Sequence, residues 1–230
     1  YYSHYLGINF KNIYLKNKYL RKALILALPI EKIIKHKLKN SVVQATSILS
    51  PVFKIPLPKS IESNLIEAKK IIIDLKEKKI IPKNLSFTLK ISNNPTNIEL
   101  ARTFLFYLNK TGINFKLDIK EWGSFYRSFK NQDYDLIYAN WIGIAGPEIL
   151  NTTLNSINVP PKGLNRGYYS NKIVDYHLEK EAYSKINKII YDDLPYIFLW
   201  HPKVTWISKK IKLPVYPNSS FLSLLKLELD

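Results

Sequence analysis

The chain has 230 residues, 46% of them hydrophobic and 13% aromatic, with a formal charge of +17 and neither cysteine nor methionine. That much apolar material can bury a core, so disorder is excluded, and the absence of cysteine removes disulfides and thiolate metal sites while leaving the compartment open. A complete translation product begins with methionine, so the chain reads as a piece of a longer polypeptide. It carries no secretory h-region and no apolar run near the ~20 residues that span a bilayer.

The charge raises a basic nucleic-acid-binding domain as an alternative function. The lysines, however, are spread over every segment. The densest clusters, KYLRK at 18–22, KHKLK at 35–39 and KEKK at 76–79, are separate and lack the glycine and aromatic pattern of an RNA-binding sheet. A solvated basic surface is the simpler reading.

In chain order, Leu6, Ile8 and Phe10 alternate as a strand, and 15–38 is helical with a break at Pro29, a residue that helix interiors reject. SPVFKIPLP at 50–58 holds three prolines and is a connecting loop. Ile61, Leu65, Ala68, Ile72 and Leu75 mark an amphipathic helix. LSFTLKIS at 85–92 alternates as a strand, and a helix through Ala101, Phe104, Leu105 and Leu108 ends at Thr111-Gly112.

A strand follows through Ile113, Phe115, Leu117 and Ile119, then a short helix after Trp122 holding Phe125 and Phe129, then a strand over 134–140 that runs into Trp141. The remainder is a helix behind Pro147, a polar loop NVPPKGLNRGYYSN, one long helix through Val174, Leu178, Ala182, Ile186 and Ile190, and a strand-like YIFLWHPKVTWIS. Alternating strands and helices with short connections predict βαβ units and a mixed, mostly parallel sheet flanked by helices. Ligands of such sheets gather at the carboxyl ends of strands, where Trp141 sits with Tyr138 and Asn140.

Enzyme signatures are missing. His4, His36, His177 and His201 are far apart with no i, i+4 pair, and Ser124 in EWGSFY lacks the second glycine of a nucleophile elbow. Gly143 and Gly146 give only G-x-x-G, and Glu148 in the following turn disfavours a phosphate. The acidic pairs Asp133 with Asp135, Glu179 with Glu181, and Asp192 with Asp193 read as solvated carboxylates. No catalysis, cofactor or metal is expected.

The wording of the elements resembles a known family. YLGINFKNIYLKNKYLRKALILALPIEKIIKHKL is similar to the segment of the family 5 extracellular solute-binding proteins, the oligopeptide and dipeptide binders of ABC importers, in which an LxxN strand precedes an RxAlxxA helix. Leu6, Asn9, Arg21, Ala23, Ala27 and 31–34 fall in register, with Pro29 replacing the usual acidic cap; SILSP at 47–51 resembles the family's next loop. IELARTFLFYLNKTGINFKLDIKEWGSFYRSFKNQDYDLIYANW, NRGYYSNKIVDYHLEKEA and IIYDDLPYIFLW resemble later stretches in the same order.

The resemblance implies a type II periplasmic-binding-protein architecture. Residues 1–200 would be the carboxyl-terminal ligand-binding lobe, and 201–230 a segment returning to an amino-terminal lobe. It implies a monomer in the periplasm or on the outer face of the cytoplasmic membrane, passing a peptide or related solute to an ABC permease, with no nucleic acid partner. Peptide binders of the family carry an aspartate three positions after the tryptophan matched by Trp141. Here that position is Ile144. The expectation is therefore a ligand not anchored by a free amino terminus, or one met by Glu148. The candidate ligand-binding set is Trp141, Tyr138, Asn140, Gly143, Ile144, Glu148, Tyr5 and Asn9, with Arg166 and Tyr168 of the polar loop read as surface.

Overall fold

The computed structural model describes residues 1–203. Of the expected returning segment, only 201–203 fall within it.

β1 (Tyr2–Ile8) enters first and ends two residues before Phe10, where the chain turns at Asn9. The break at Pro29 is present: α1 (Lys18–Ala27) and α2 (Ile30–His36) are separate helices. The sequence reading missed β2 (Val42–Gln44), too short at three residues to show a period. α3 (Leu65–Glu77) starts later than the apolar pattern, because the Asn64 side chain accepts from the Glu67 N–H as the N-cap and leaves Ile61 outside. Asparagine has the same capping role at Asn17 and Asn94.

β3 (Ser86–Ser92), α4 (Pro95–Asn109), β4 (Asn114–Lys120), α5 (Trp122–Asn131) and β5 (Leu136–Ile142) follow as expected, with Gly112 beyond the end of α4 at φ +89. After α6 (Ile149–Leu154), the single long helix expected over 174–190 is two, α7 (Lys172–Glu179) and α8 (Tyr183–Asp193), separated by Glu181 at φ +50. Apolar residues every fourth position drift by about 40° per step around a straight helix, so five of them span about 160°. The break lets Val174 and Leu178 share one core with Ile186 and Ile190. β6 (Tyr196–Pro202) closes the described chain.

The six strands form one sheet in the order β2-β6-β1-β5-β3-β4. It is mixed, as the sequence suggested, but parallel only where β3 pairs with β4 and β5; the β1–β5, β1–β6 and β2–β6 pairings are antiparallel. Alternation of strand and helix dictates direction only along β3-α4-β4-α5-β5, since β1 and β6 join the sheet through longer paths. Right-handed crossovers that step outward to β4 and back to β5 place α4 and α5 on opposite faces. Accordingly Phe104 of α4 packs in the cluster with α1 and α3, while Phe125 and Phe129 of α5 pack on Ile137 from the other side. The second face also carries α6, α7 and α8.

Candidate functional site

Strands β3, β4 and β5 end at a common edge, where β1 begins, since Tyr2 lies opposite Ile142. Alternation sends Trp141 to the face of α5 to α8. Its indole is half-buried and stacks on Tyr5 with centroids 6.3 Å apart and planes at 19°. Tyr5 is buried behind it and meets Tyr196 edge to face at 5.0 Å. The indole Nε1 of Trp141 has no hydrogen-bond partner. Ile142 points to the other face, 64% exposed beside the 44% exposed Tyr2. Asn140 is exposed on that same face.

Gly143 turns the chain at φ +72, a conformation that favours glycine. The next residue turns inward. Ile144 is 2% exposed, its side chain packs in the cluster containing Leu150 and Tyr169, and its N–H and carbonyl pair with the Tyr1 carbonyl and nitrogen at 3.0 Å each. Glu148 is exposed, with its carboxylate lying against Gly146 in the space a Cβ there would fill.

A second indole stands at this edge. Trp122 opens α5 one residue beyond β4, after the N-cap Glu121; it is 63% exposed and stacks with Phe125 at 5.7 Å and Tyr126 at 6.3 Å. β3 lies between β4 and β5, so the two tryptophans rise from strand ends about 10 Å apart on the same face. The sequence reading used Trp122 only to mark a helix start. An aromatic near a strand's carboxyl end is the signal at both positions.

α5 is held down by Lys90, a buried residue of β3. Its Nζ lies 2.9 Å from Asp133 and 3.3 Å from both Asp118 and the Ser128 hydroxyl. The hydrogen bond and charge of Lys90 keep the Asp133 carboxyl below its usual range. Asp133 is therefore an ion-pair partner. Asp135 is likewise structural, accepting from the Thr88 N–H and hydroxyl and from Asn12. Asp193 accepts from Tyr169 and Asn171. Asp133 stays exposed, as expected, while paired with Lys90; the solvated reading fails for Asp135 and Asp193, whose positions at a strand start and a helix end face backbone, hydroxyl and amide donors.

The structure separates the remaining candidates from Trp141. Tyr138 faces the opposite core, 4% exposed, with its ring 5.6 Å from Phe104 and its hydroxyl 3.0 Å from His4 Nδ1. Asn9 is at the far end of the sheet, since Ile8 pairs with Leu136, and its Nδ2 donates to the Gln132 and Tyr134 carbonyls at 3.0 and 2.8 Å. The LxxN spacing gave no indication of which sheet end it would occupy. Arg166 and Tyr168 belong to that far end too, because the Gly167 carbonyl accepts from the Phe10 N–H. The Arg166 guanidinium covers Phe129 at 4.1 Å, and the Tyr168 hydroxyl donates to the Pro160 carbonyl.

What converges on the edge is therefore Trp141, Tyr5, Asn140, Gly143 and Glu148 from the expected set, with Trp122, Ile142 and Tyr2 added. Aromatic faces, aliphatic surface and an indole donor suit noncovalent capture of a solute. Among the described residues no group of three or more His, Asp or Glu could hold a metal ion, and no helix is long and apolar enough to cross a membrane.

Known proteins share this architecture. The oligopeptide-binding protein AppA of Bacillus subtilis (strain 168) is 30% identical over 225 residues, covering 86% of this chain and 41% of that protein. The solved structure of Bacillus subtilis AppA in complex with a nonapeptide matches with a TM-score of 0.77 at 28% identity, over 87% of this chain and 45% of that one. DppA from Helicobacter pylori, solved in complex with the peptide STSA, shares the fold with a TM-score of 0.78 at 23% identity, over 87% and 41% of the two chains. The chain thus spans less than half the length of these relatives. The sequence profile of the bacterial extracellular solute-binding proteins, family 5 (middle region), matches residues 1–156, more than half of the chain, and the chain belongs to that family.

Proposed function

We propose that this chain forms the carboxyl-terminal, ligand-gripping lobe of the substrate-binding component of an ABC importer. The component captures a peptide or related small solute between two lobes and delivers it to a membrane permease. It works in the periplasm or on the outer face of the cytoplasmic membrane, as a monomer, by closure of lobes around the solute rather than by catalysis. The observation that carries the reading is the pair of indoles at one sheet edge, Trp141 over Tyr5 and Trp122 over Phe125, with exposed apolar neighbours around them. A lobe that ends in open aromatic faces buries them by closing on something. Family membership favours this over nucleic acid binding.

The edge also bears on the kind of solute. Position 144 points an isoleucine into the core and offers the ligand side no carboxylate, so a free α-ammonium lacks a partner there. Calorimetric titration of the full-length protein with a tetrapeptide and its N-acetylated form tests both statements. Binding of both forms within a few-fold is expected. Strong loss on acetylation would overturn the unanchored amino terminus. Failure of any peptide to bind, with tight salt-sensitive binding to generic DNA instead, would overturn the importer reading.

A further inference from the structure

The lysines that run the length of the sequence are not spread evenly over the fold. The layer on the Phe104 face of the sheet is built from 15–44, 59–83 and 93–112, and it carries seventeen Lys and Arg against six Asp and Glu. The opposite layer, from 45–58, 121–135 and 147–193, carries nine of each. A general excess of lysine would charge both layers alike. Here the first layer holds an excess of eleven, its cations other than Arg21 lie at the surface, and among the described residues its ion pairs are Lys37 with Glu99 and Lys78 with Asp74.

The same layer leaves apolar side chains in the open. Ile66 and Ile73 of α3 are 71% and 54% exposed, and seven residues are close to two helical turns, so they form one stripe turned away from the buried Ala68, Ile72 and Leu75. Lys69 and Lys70 lie about 60° and 40° to either side of Ile66. Past the end of α3, Ile80 is exposed as well, and it joins Tyr19 of α1 with Lys70 and Ile71 in lining an open groove between the two helices. Phe106 of α4 is exposed with the Lys110 ammonium 3.9 Å from its ring centre.

We propose that this layer docks on an anionic lipid bilayer, with the α3 stripe entering the headgroup region and the lysines around it meeting phosphodiesters. Charge and apolar surface together decide for lipid. Nucleic acid would use the lysines and leave Ile66 and Ile73 in water, whereas the boundary of a bilayer takes both, the ammonium groups by attraction to anionic headgroups and the isoleucines by burial. Trp141 and Trp122 belong to the other face of the sheet, so docking leaves the proposed solute site uncovered. Attachment is reversible, each lysine contributing about fivefold in partitioning, and salt screens it. The importer reading enters only in naming the leaflet, the outer one of the cytoplasmic membrane.

Cosedimentation of the full-length protein with vesicles of equal parts phosphatidylglycerol and phosphatidylcholine tests the surface. Binding is expected at low salt, with little to phosphatidylcholine alone, and it should weaken steeply as salt rises. The joint replacement Lys69→Gln, Lys70→Gln and Lys79→Gln is expected to lower partitioning roughly tenfold or more. Lys180→Gln, Lys185→Gln and Lys188→Gln on the opposite layer remove the same charge and should cost less than about threefold. Ile66→Ser with Ile73→Ser should reduce binding several-fold and keep the salt dependence. All eight side chains are exposed, so melting temperatures should hold throughout. No vesicle binding by the unmodified protein, or equal losses in the two lysine triples, would overturn the docking surface. So would tighter binding to duplex DNA that the first triple abolishes and the isoleucine pair leaves intact. Vesicle binding by a protein that takes no peptide would sink the importer reading alone.

Discussion

The two ends of the sheet are built on opposite terms. At the end where β5 starts, polar groups find partners: Asn9 bonds two carbonyls, Asp135 accepts from Thr88 and Asn12, and the Tyr134 hydroxyl donates to the Arg166 carbonyl. The buried Arg21 donates to the carbonyls of Leu15, Lys16, Asp193 and Leu194, closing the end of α8. At the other end Trp122, Ile142 and Tyr2 stand in the open, and among the described residues Ser3 Oγ and Trp141 Nε1 lie buried without a hydrogen-bond partner. The satisfied end holds the fold together. The exposed end is the one that the proposed function assigns to the solute, a division between scaffold and site.

The comparison breaks most visibly at Arg21. Arg21→Leu removes a guanidinium and strands several buried carbonyls, so a loss of about 3 kcal/mol or more in unfolding free energy is expected from urea melts of the full-length protein. A loss below about 1 kcal/mol would mean that the far end is not the anchor described.

The next contrast pairs one residue from each end. Trp141→Ala should weaken binding of an acetylated tetrapeptide by about 2 kcal/mol, roughly thirtyfold, with a smaller effect on unfolding. Asn9→Ala should do the reverse, lowering stability by about 2 kcal/mol and leaving affinity unchanged. Equal effects of both substitutions on affinity would erase the distinction between the ends.

The smallest expected effect is one of pH. Burial, and secondarily the charge of His201, lowers the His4 pKa from its ordinary 6.5 to about 4. A folded value below the unfolded one means that the unfolded chain binds the extra proton first. The stability from neutral His4 is fully present above about pH 6.5 and is lost as pH falls toward about 4. Mild acid is therefore expected to loosen the packing around His4. Denaturation midpoints between pH 7 and 4.5 should fall, and His4→Gln should flatten the slope. An unchanged slope in the variant would remove His4 as the cause.

Much of this was legible in the sequence, and the illegible part has definite causes. The alternation in LSFTLKIS and the glycine after α4 located β3, α4 and β4 because backbone period and turn chemistry are local. The place of Trp141 near the end of β5 follows from the same local logic, as does that of Trp122 at the start of α5. Tyr138 and Asn140, two apart on one strand, share a face but not a fate: α4 covers the first and ends short of the second, and no period reports where a helix stops covering a sheet.

The sequence by itself determined the order and type of the elements, the breaks at Pro29 and Gly112, and the family, since periodicity, caps and turn residues act over a few neighbours. Tertiary structure alone decided that β1 and β6 run antiparallel to their neighbours, that Asn9 lies a full strand length from Trp141, and that the Trp141 indole stacks on Tyr5. Those placements depend on pairing between segments up to about two hundred residues apart, and pairing is selected by how buried faces fit one another, which no local pattern encodes.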